Sequence, residues 1–366
     1  MVIGYNDLLI FVQSILPEMR LTRQRNLALV VVGLLQVRDA HLTISEIARA
    51  IPSKADHWHK FKRVWRFLSN VKWSSSACCY PLLRFVLTRF RVGQYLPIIV
   101  DQSTLAGKWE VLWASIPFRG RALPIYFTLF RHTDISHDPE GSQNKIEHEF
   151  IQAVVDLLPA TFIPLLLFDR GYARVSLLQF LATLPVKYVI RARKNTLVRY
   201  RRRFTGLLSD IPIRRGQLLW WPRTLYHQEA AYPVNLAISW NNAADQPWYL
   251  LTNLRRSDTT VHWYERRFRC EELFKDIKDQ LHLETIQLKK QERVERLIFA
   301  LMVAYYALTL IGVAAQNAGL RPKVCRHPVS PAWMALRLLK MPFIFKPRLA
   351  RRALFFYSWS LNYETG

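Results

Sequence analysis

Four polar side chains of different chemistry recur at helical spacing near residue 270. Tyr264, Arg267, Glu271 and Lys278 are separated by three, four and seven residues. On an α-helix, which turns by about 100° per residue, they fall within about 60° of one another, and Lys275 borders them. Such a stripe could combine a metal-binding carboxylate with groups that bind phosphate. A solvated helix face with ion pairs around Glu271 gives the same pattern, so the segment alone leaves both interpretations open.

Two further carboxylates follow apolar segments upstream. Residues 96–100 (LPIIV) precede Asp101, and residues 163–168 (IPLLLF) precede Asp169. Both segments predict buried strands within an α/β alternation. Neighbouring strands would bring the two aspartates to one edge of a sheet, where open sheets place their sites. An aspartate in a turn gives the same local sequence, so neither residue is assigned by its own surroundings.

Together, the two strand-end aspartates and the glutamate form a three-carboxylate set. Hard oxygen ligands suit Mg²⁺, or Mn²⁺, because these ions bind few protein carboxylates and keep positions for water and phosphate. Two such ions can activate water and stabilise the leaving oxygen in phosphodiester cleavage. Three basic residues beside the glutamate would then hold a DNA backbone: Arg267, Lys275 and Lys278.

The composition indicates a polyanionic partner. The chain has 366 residues, half of them hydrophobic, and a net charge of +25. This length allows two or three domains with a substantial core. The charge points to nucleic acid first and an anionic membrane second, and a small-metabolite enzyme has no need of it. The four cysteines match neither a zinc spacing nor a disulfide framework, which predicts reduced thiols: Cys78, Cys79, Cys270 and Cys325.

Residues 1–95 are predicted to form a helical, DNA-binding domain. Thr43 and Glu46 match a capping box, and a basic aromatic helix (HWHKFKRVWRFLSN) follows after a short polar turn. This outline is typical of a helix-turn-helix, although its turn is long and lacks glycine. A helical bundle with a basic face is the alternative. The residues expected to contact DNA are Lys60, Lys62, Arg63 and Arg66.

The remaining chain predicts an α/β core interrupted by a β-rich segment. Core strands and helices are expected over 96–191 and 246–320, a β-rich insertion with a basic rim over 192–245, and a basic C-terminal region over 321–366. Residues 297–315 are uncharged for nearly the length that spans a bilayer. A helix buried on all sides of a large domain gives the same pattern, and we favour that interpretation.

The ordered motifs resemble those of DDE transposases of the IS4 insertion-sequence family. The family signature Tyr-x2-Arg-x3-Glu-x6-Lys is present without a gap as Tyr264, Arg267, Glu271 and Lys278. Asp101 in VDQST and Asp169 in FDRGYA are similar to the first two acidic motifs. The resemblance covers about residues 96–315 and is weak before them.

This resemblance implies an RNase H-like catalytic core with a β-rich insertion. It implies Mg²⁺-dependent cleavage at transposon ends and strand transfer, with Asp101, Asp169 and Glu271 as metal ligands. Tyr264, Arg267 and Lys278 would position phosphates. It also implies a homodimer on paired ends of double-stranded DNA, in the bacterial cytosol with no membrane. In some relatives an insertion tryptophan stacks on a flipped base, for which the candidates are Trp220, Trp221 and Trp240, although core packing is the favoured role of each.

Two other functions remain compatible with the sequence. One is an RNase H-like nuclease without strand transfer. The other is a non-catalytic DNA-binding derivative of a transposase, such as a repressor. The presence of all three carboxylates favours an active enzyme.

Overall fold

A mixed sheet of ten strands forms the centre of this α/β protein, in the order β3-β2-β1-β4-β5-β10-β9-β8-β6-β7. The computed structural model describes residues 3–37, 41–88, 95–137, 142–320, 327, 329–341 and 347–355. The strands are β1 (Tyr95–Leu105), β2 (Trp109–Phe118), β3 (Arg121–Phe130), β4 (Ile163–Phe168), β5 (Lys187–Arg191), β6 (Leu197–Tyr200), β7 (Phe204–Leu207), β8 (Leu218–Tyr226), β9 (Tyr232–Ser239) and β10 (Trp248–Thr252).

The first five strands place the two sequence-predicted aspartates. β1, β2 and β3 form an antiparallel meander, as expected from their short turns, whereas β4 runs parallel to β1 and β5 parallel to β4. The centres of β1 and β4 are apolar and fully buried, because helices cover both faces of a parallel pair. In their register Val100 lies opposite Phe168, so Asp101 and Asp169 come next along the two chains. Asp169 directly follows the end of β4 as predicted, whereas the prediction that Asp101 ends its strand is wrong, because β1 continues to Leu105 in its pairing with β2. The prediction that these strands are neighbours is confirmed.

Strands β6 to β9 all lie within residues 192–245, where aromatic and β-branched residues predict β structure. They extend the core sheet rather than forming a sheet of their own, because β9 pairs with β10 and β10 pairs with β5. β8 contains an irregularity between Trp221 and Thr224, which bends this part of the sheet.

Five helices precede the sheet: α1 (Tyr5–Ile15), α2 (Leu21–Leu34), α3 (Ile44–Ala50), α4 (His57–Leu68) and α5 (Ser75–Leu87). The Thr43 hydroxyl accepts a hydrogen bond from the backbone N–H of Glu46 (3.1 Å), which caps α3. Only this half of the predicted capping box forms, because the Glu46 carboxylate pairs with Arg49 and the Thr43 N–H donates to the His41 carbonyl. Three helices then lie between the core strands: α6 (His132–His137), α7 (Gln143–Asp156) and α8 (Val175–Ala182).

The polar stripe lies on an irregular helical segment rather than on one continuous α-helix. α9 (Ser257–Glu265) passes into a 3-10 turn (Arg266–Phe268), then α10 (Arg269–Lys275), then a π-helical turn (Asp276–Gln280). The expectation of a regular helix is therefore wrong. Each irregular turn carries a buried charged side chain, Arg267 or Asp276, whose partner lies on the sheet. We attribute the changes of helical pitch to these two contacts.

Helix α11 (Gln291–Asn317) is long and apolar enough to cross a membrane, but its apolar stretch is fully buried inside the protein. It packs against the sheet and against the N-terminal helices. The Tyr306 hydroxyl donates to the carbonyl of Pro124 on β3 (3.0 Å), and Arg296 Nη1 donates to the carbonyl of Leu68 on α4 (2.9 Å). The interior of the protein thus accounts for its composition. Two helices follow, α12 (Pro331–Leu338) and α13 (Pro347–Phe355).

Gly312 allows α11 and α12 to approach each other. A Cβ at this position would lie 1.9 Å from the Pro331 carbonyl oxygen, a backbone atom that cannot rotate away. We expect Gly312→Ala to lower the free energy of unfolding by about 1–3 kcal/mol, measured by urea denaturation. Gly171→Ala is the control, because its new methyl group would meet nothing within 4 Å. Equal stability of the two variants would contradict this packing.

Candidate active site

The parallel register of β1 and β4 places two aspartates side by side, level with the carboxyl end of β4. Asp101 lies beside Val100 on β1, and Asp169 directly follows Phe168, the partner of Val100 on β4. Both aspartates are partly buried. The pKa of Asp101 is raised, mainly because the side chain is buried, and the nearby Asp169 carboxylate adds to this shift. The edge therefore carries two interacting carboxylates with limited access to water.

Three donors stabilise the charged form of Asp101. The backbone N–H of Gln102 donates to Oδ1 (3.0 Å), while Cys270 Sγ and Arg267 Nη1 contact Oδ2 at 3.0 and 3.1 Å. These three contacts lower the pKa of Asp101, but burial raises it by more, so the pKa stays above its usual value. Asp101 is therefore held in place from its own strand and from the helical segment.

Arg267 joins the helix-borne glutamate to this site. Its guanidinium is buried and donates from Nη1 to Asp101 and from Nη2 to Glu271 Oε1 (2.6 Å). Burial acts to lower the pKa of Arg267, but nearby groups such as Tyr264 and Asp101 raise it overall, so the side chain stays charged. The structure thus brings Asp101, Arg267 and Glu271 together, with the cation between the two carboxylates.

Tyr264 and Lys278 do not lie free on an exposed stripe. Tyr264 is fully buried and packs edge-on against Trp248, with ring centroids 5.2 Å apart, and burial raises its pKa. Lys278 Nζ donates to the carbonyl of Thr104 at the end of β1 (2.8 Å) and pairs with Glu284 (3.1 Å). Lys275, by contrast, is exposed. Of the stripe, then, only Lys275 and the half-exposed Glu271 present much of their surface to solvent.

Glu272, the other acidic residue of this helix turn, points to a different partner. Its carboxylate lies 3.0 Å from Arg121 Nη1 on β3, and Asp276 lies 3.3 Å from Nε of the same arginine. This contact separates the roles of two adjacent glutamates: Glu271 reaches Arg267 at the aspartate pair, and Glu272 anchors α10 to β3.

Sequence reasoning missed a buried polar network beside the aspartates. Gln102 donates to Glu110 (2.9 Å) and accepts from Gln143 (3.0 Å), which also donates to Glu147 (2.9 Å). Arg174 completes the chain by an ion pair with Glu147. The network connects the residue after Asp101 with the turn after Asp169. Both glutamates are buried, but their segments contain no recognisable motif, so only the packing reveals them.

Cys270 is the second omission. Its thiol contacts Asp101, although nothing but its place between Arg267 and Glu271 distinguished it in the sequence. Two of the three candidate insertion tryptophans, Trp220 and Trp221, pack against the core, which is the role favoured for each, and Trp240 is partly buried. Trp221 stacks on Tyr200 with centroids 4.8 Å apart, and the Trp240 indole N–H donates to the carbonyl of Ala244 (3.0 Å). Trp220 is partly buried against the core.

Basic side chains surround Asp169. In the β4–β5 register Phe168 lies opposite Ile190, which places Arg191 beside Asp169. A cleft at this edge contains Asp169 together with Arg170, Arg191, Arg193 and Lys194. The acidic centre therefore has a positively charged wall that suits a polyanion.

The three carboxylates are ligands of the type that a hard divalent cation prefers, but they do not converge on a common position. Asp101 and Asp169 are adjacent carboxylates, as Mg²⁺ prefers, but Glu271 is bound to Arg267. Among the residues that the structure describes, no three His, Cys, Asp or Glu side chains converge as a metal site. The side chain of Glu271 is 56% exposed, so core packing does not hold it at Arg267.

Replacement of Arg267 tests whether its charge holds this site together. Because Arg267→Met leaves the buried Asp101 without its cation, we expect it to reduce the free energy of unfolding by about 3 kcal/mol at pH 7. The pKa of Asp101, already raised, should rise further, so the folded variant binds its proton more tightly than the unfolded chain. The deficit relative to the parent should therefore shrink as the pH is lowered.

Chemical denaturation at several pH values measures both effects. Arg269→Met is the matched control, since Arg269 is exposed on the same helical segment and should be replaceable without loss. Identical denaturation midpoints for the two variants would show that Arg267 contributes no more than a surface charge.

Comparison with known proteins bears on this site. A search of curated proteins gives no match. Residues 134–307 match the family model of the transposase DDE domain. The matched segment includes Asp169 and Glu271, and Asp101 lies upstream of it on the strand that pairs with β4. The match covers 174 of the 366 residues and supports a DDE transposase.

Proposed function

We propose that this protein is a transposase of the IS4 type, which cuts DNA at the ends of its element and joins those ends to target DNA. The observation that carries the proposal is the β1–β4 register, which sets Asp101 beside Asp169, with Arg267 linking Asp101 to Glu271. The strand order 3-2-1-4-5 with an antiparallel β1–β3 meander supports an RNase H-like core. Strands β6 to β9 would be its insertion.

Asp101, Asp169 and Glu271 are the proposed catalytic carboxylates and would hold Mg²⁺, with Mn²⁺ as an alternative. Such an ion supplies Lewis-acid activation of water and stabilisation of a leaving oxygen. The residues of the chain have separate roles. Arg267 holds Asp101 in position, and Lys278 holds the helical segment on β1. Glu271, which now pairs with Arg267, would turn towards the two aspartates.

The cations around Asp169 would bind the DNA backbone and steer it to the carboxylates. Lys275, exposed on α10 four residues after Glu271, would join them. Because Tyr264 and Arg267 are buried, we assign them to positioning the site and leave direct phosphate contacts to the exposed cations.

Helix α4 is the proposed DNA contact of the N-terminal helices, which would form a domain over residues 1–95. Lys62, Arg63 and Arg66 are exposed there, and Lys60 is partly exposed. Trp58 is 58% exposed with the Lys62 ammonium 4.9 Å from its ring centroid. A helix surface that alternates cations and open aromatic rings suits a nucleic acid. By resemblance, the active form would be a homodimer on paired ends in the cytosol of a bacterium.

The deciding experiment is incubation of the protein with a labelled DNA fragment that carries the ends of its own element, with Mg²⁺ or with EDTA. We expect nicking and joining in Mg²⁺ only. Asp101→Ala, Asp169→Ala and Glu271→Ala should each reduce the cleavage rate by about a thousandfold, because metal catalysis supplies several kcal/mol.

Glu272→Ala is the matched control for the glutamate, since Glu272 is adjacent but pairs with Arg121. It should retain cleavage, because Asp276 still pairs with Arg121 and keeps the helical segment on β3. If the three alanine variants cut as well as the parent, the site assignment is wrong. A parent protein that binds the ends but never cuts them would favour a non-catalytic derivative.

A further inference from the structure

A turn of three consecutive arginines joins β6 to β7 at the far end of the sheet. Tyr200 and Phe204 are the last paired residues of the two strands, so Arg201, Arg202 and Arg203 form the loop between them. All three are exposed, and none forms an ion pair with a residue that the structure describes. Residues 192–245 contain nine basic and three acidic residues, so the segment as a whole is strongly basic.

The backbone at this turn favours a residue other than arginine. Arg201 has φ = 50°, in the left-handed region where glycine is the least strained residue. The same holds for Arg223 at the irregularity of β8, where φ is 53°. The pairing of β6 with β8 ends at Arg199 and Leu225, and Arg201 and Arg223 each lie two residues beyond it at the same end of the two strands. An arginine thus occupies a position that favours glycine on each of these neighbouring strands.

Aromatic packing gives the turn a firm base. Tyr200 and Trp221 stack with an angle of 4° between their rings, and Phe204 packs on Trp221 at 5.3 Å. The guanidinium of Arg201 lies 5.3 Å from the centroid of the Tyr200 ring. The cations therefore project from an ordered hairpin rather than from a loose loop.

Strand directions place the turn at the same sheet edge as the acidic site. Each pairing from β5 through β10, β9 and β8 to β6 is antiparallel, so β6 runs in the same direction as β4. Asp169 follows β4 and Arg201 follows β6, and both therefore lie at the ends of strands that point the same way. Five strand spacings of about 4.8 Å separate the two positions by about 24 Å along the sheet.

We propose that Arg201, Arg202, Arg203 and Arg223, here called the arginine tip, form a second binding site for the phosphate backbone of duplex DNA. The inference rests on the proposed function in that DNA is the substrate. A separation of about 24 Å corresponds to about seven base pairs at 3.4 Å per step. The arginine tip would bind phosphates at about this distance from the phosphodiester bond that is cleaved at Asp101 and Asp169. Its contacts would not depend on the DNA sequence.

Salt-dependent binding of a labelled mixed-sequence duplex several helical turns long tests this inference. The main variant is Arg201→Gly with Arg223→Gly, which removes two charges and supplies the residue that the backbone prefers. The slope of log affinity against log salt should become shallower by about 1.8, or 0.9 for each lost phosphate contact. Replacement of Arg202 and Arg203 by Gln in addition should bring the total change to about 3.6.

Two controls separate this effect from misfolding and from net charge. The melting temperature of the double glycine variant should be no lower than that of the parent, because glycine suits both positions. Lys187→Gln with Arg255→Gln removes the same charge at the opposite sheet edge, where β5 begins and β10 ends, and its slope should match the parent. Arg201→Lys should also match it, since the charge is kept.

The outcomes distinguish this inference from the proposed function. If the parent binds duplex and the double glycine variant has the same salt slope, the arginine tip does not contact DNA and only this inference fails. An equal loss of slope in the opposite-edge variant would likewise overturn it, because net charge alone would explain the effect. A parent protein that binds no duplex at any salt concentration overturns both.

Discussion

A buried guanidinium between two carboxylates is the interaction on which the arrangement of this site depends. Arg267 and Asp101 are 166 residues apart in the chain, yet their side chains meet at 3.1 Å. Neither charge would be tolerated alone at this depth, since an unpaired buried ion costs several kcal/mol. Each therefore requires the other, and together they fix the helical segment to β1 at Asp101. Glu271 is brought to the sheet edge by the same cation.

Further polar contacts, formed by residues after Arg267, keep the helical segment from rotating about the Arg267–Asp101 pair. Lys278 binds the carbonyl of Thr104, and Arg121 on β3 binds Glu272 and Asp276. Between these contacts, Leu273 and Ile277 are buried in the core. A regular α-helix cannot direct residues 267, 276 and 278 to three different strand positions while keeping its apolar side inward. The 3-10 and π-helical turns resolve this conflict at the two buried charges.

The sequence was sufficient for the parts of the fold that depend on local pattern. Apolar segments before Asp101 and Asp169 predicted strands and their shared edge, and the capping residue Thr43 predicted the start of α3. Partners from distant parts of the chain could not be predicted in this way. Helical spacing places Arg267 beside Glu271 but says nothing about which of them turns inward. The burial of Arg267 follows from the position of Asp101, which only the tertiary structure supplies.

The same limit applies to the β-rich segment and to Cys270. Composition predicted strands over 192–245, but membership of the core sheet depends on the pairing of β9 with β10 across a loop. A lone cysteine beside a glutamate carries no spacing signal, and its contact with Asp101 arises because α10 lies against β1 at that residue. In both cases the missing information was the relative placement of elements, which no local pattern contains.

Charge balance connects the site to the strongly basic composition. Asp101, Asp169 and Glu271 would repel one another and any polyanion that approached them, and within the site Arg267 offsets only part of this negative charge. The cations at the Asp169 cleft offset more of it from outside, since Arg170, Arg193 and Lys194 are exposed there. A compensating positive charge is needed in every state of the three carboxylates. If Glu271 leaves Arg267 to face the aspartates, a cation must enter as it does so, because three carboxylates at one point would not stay ionised together.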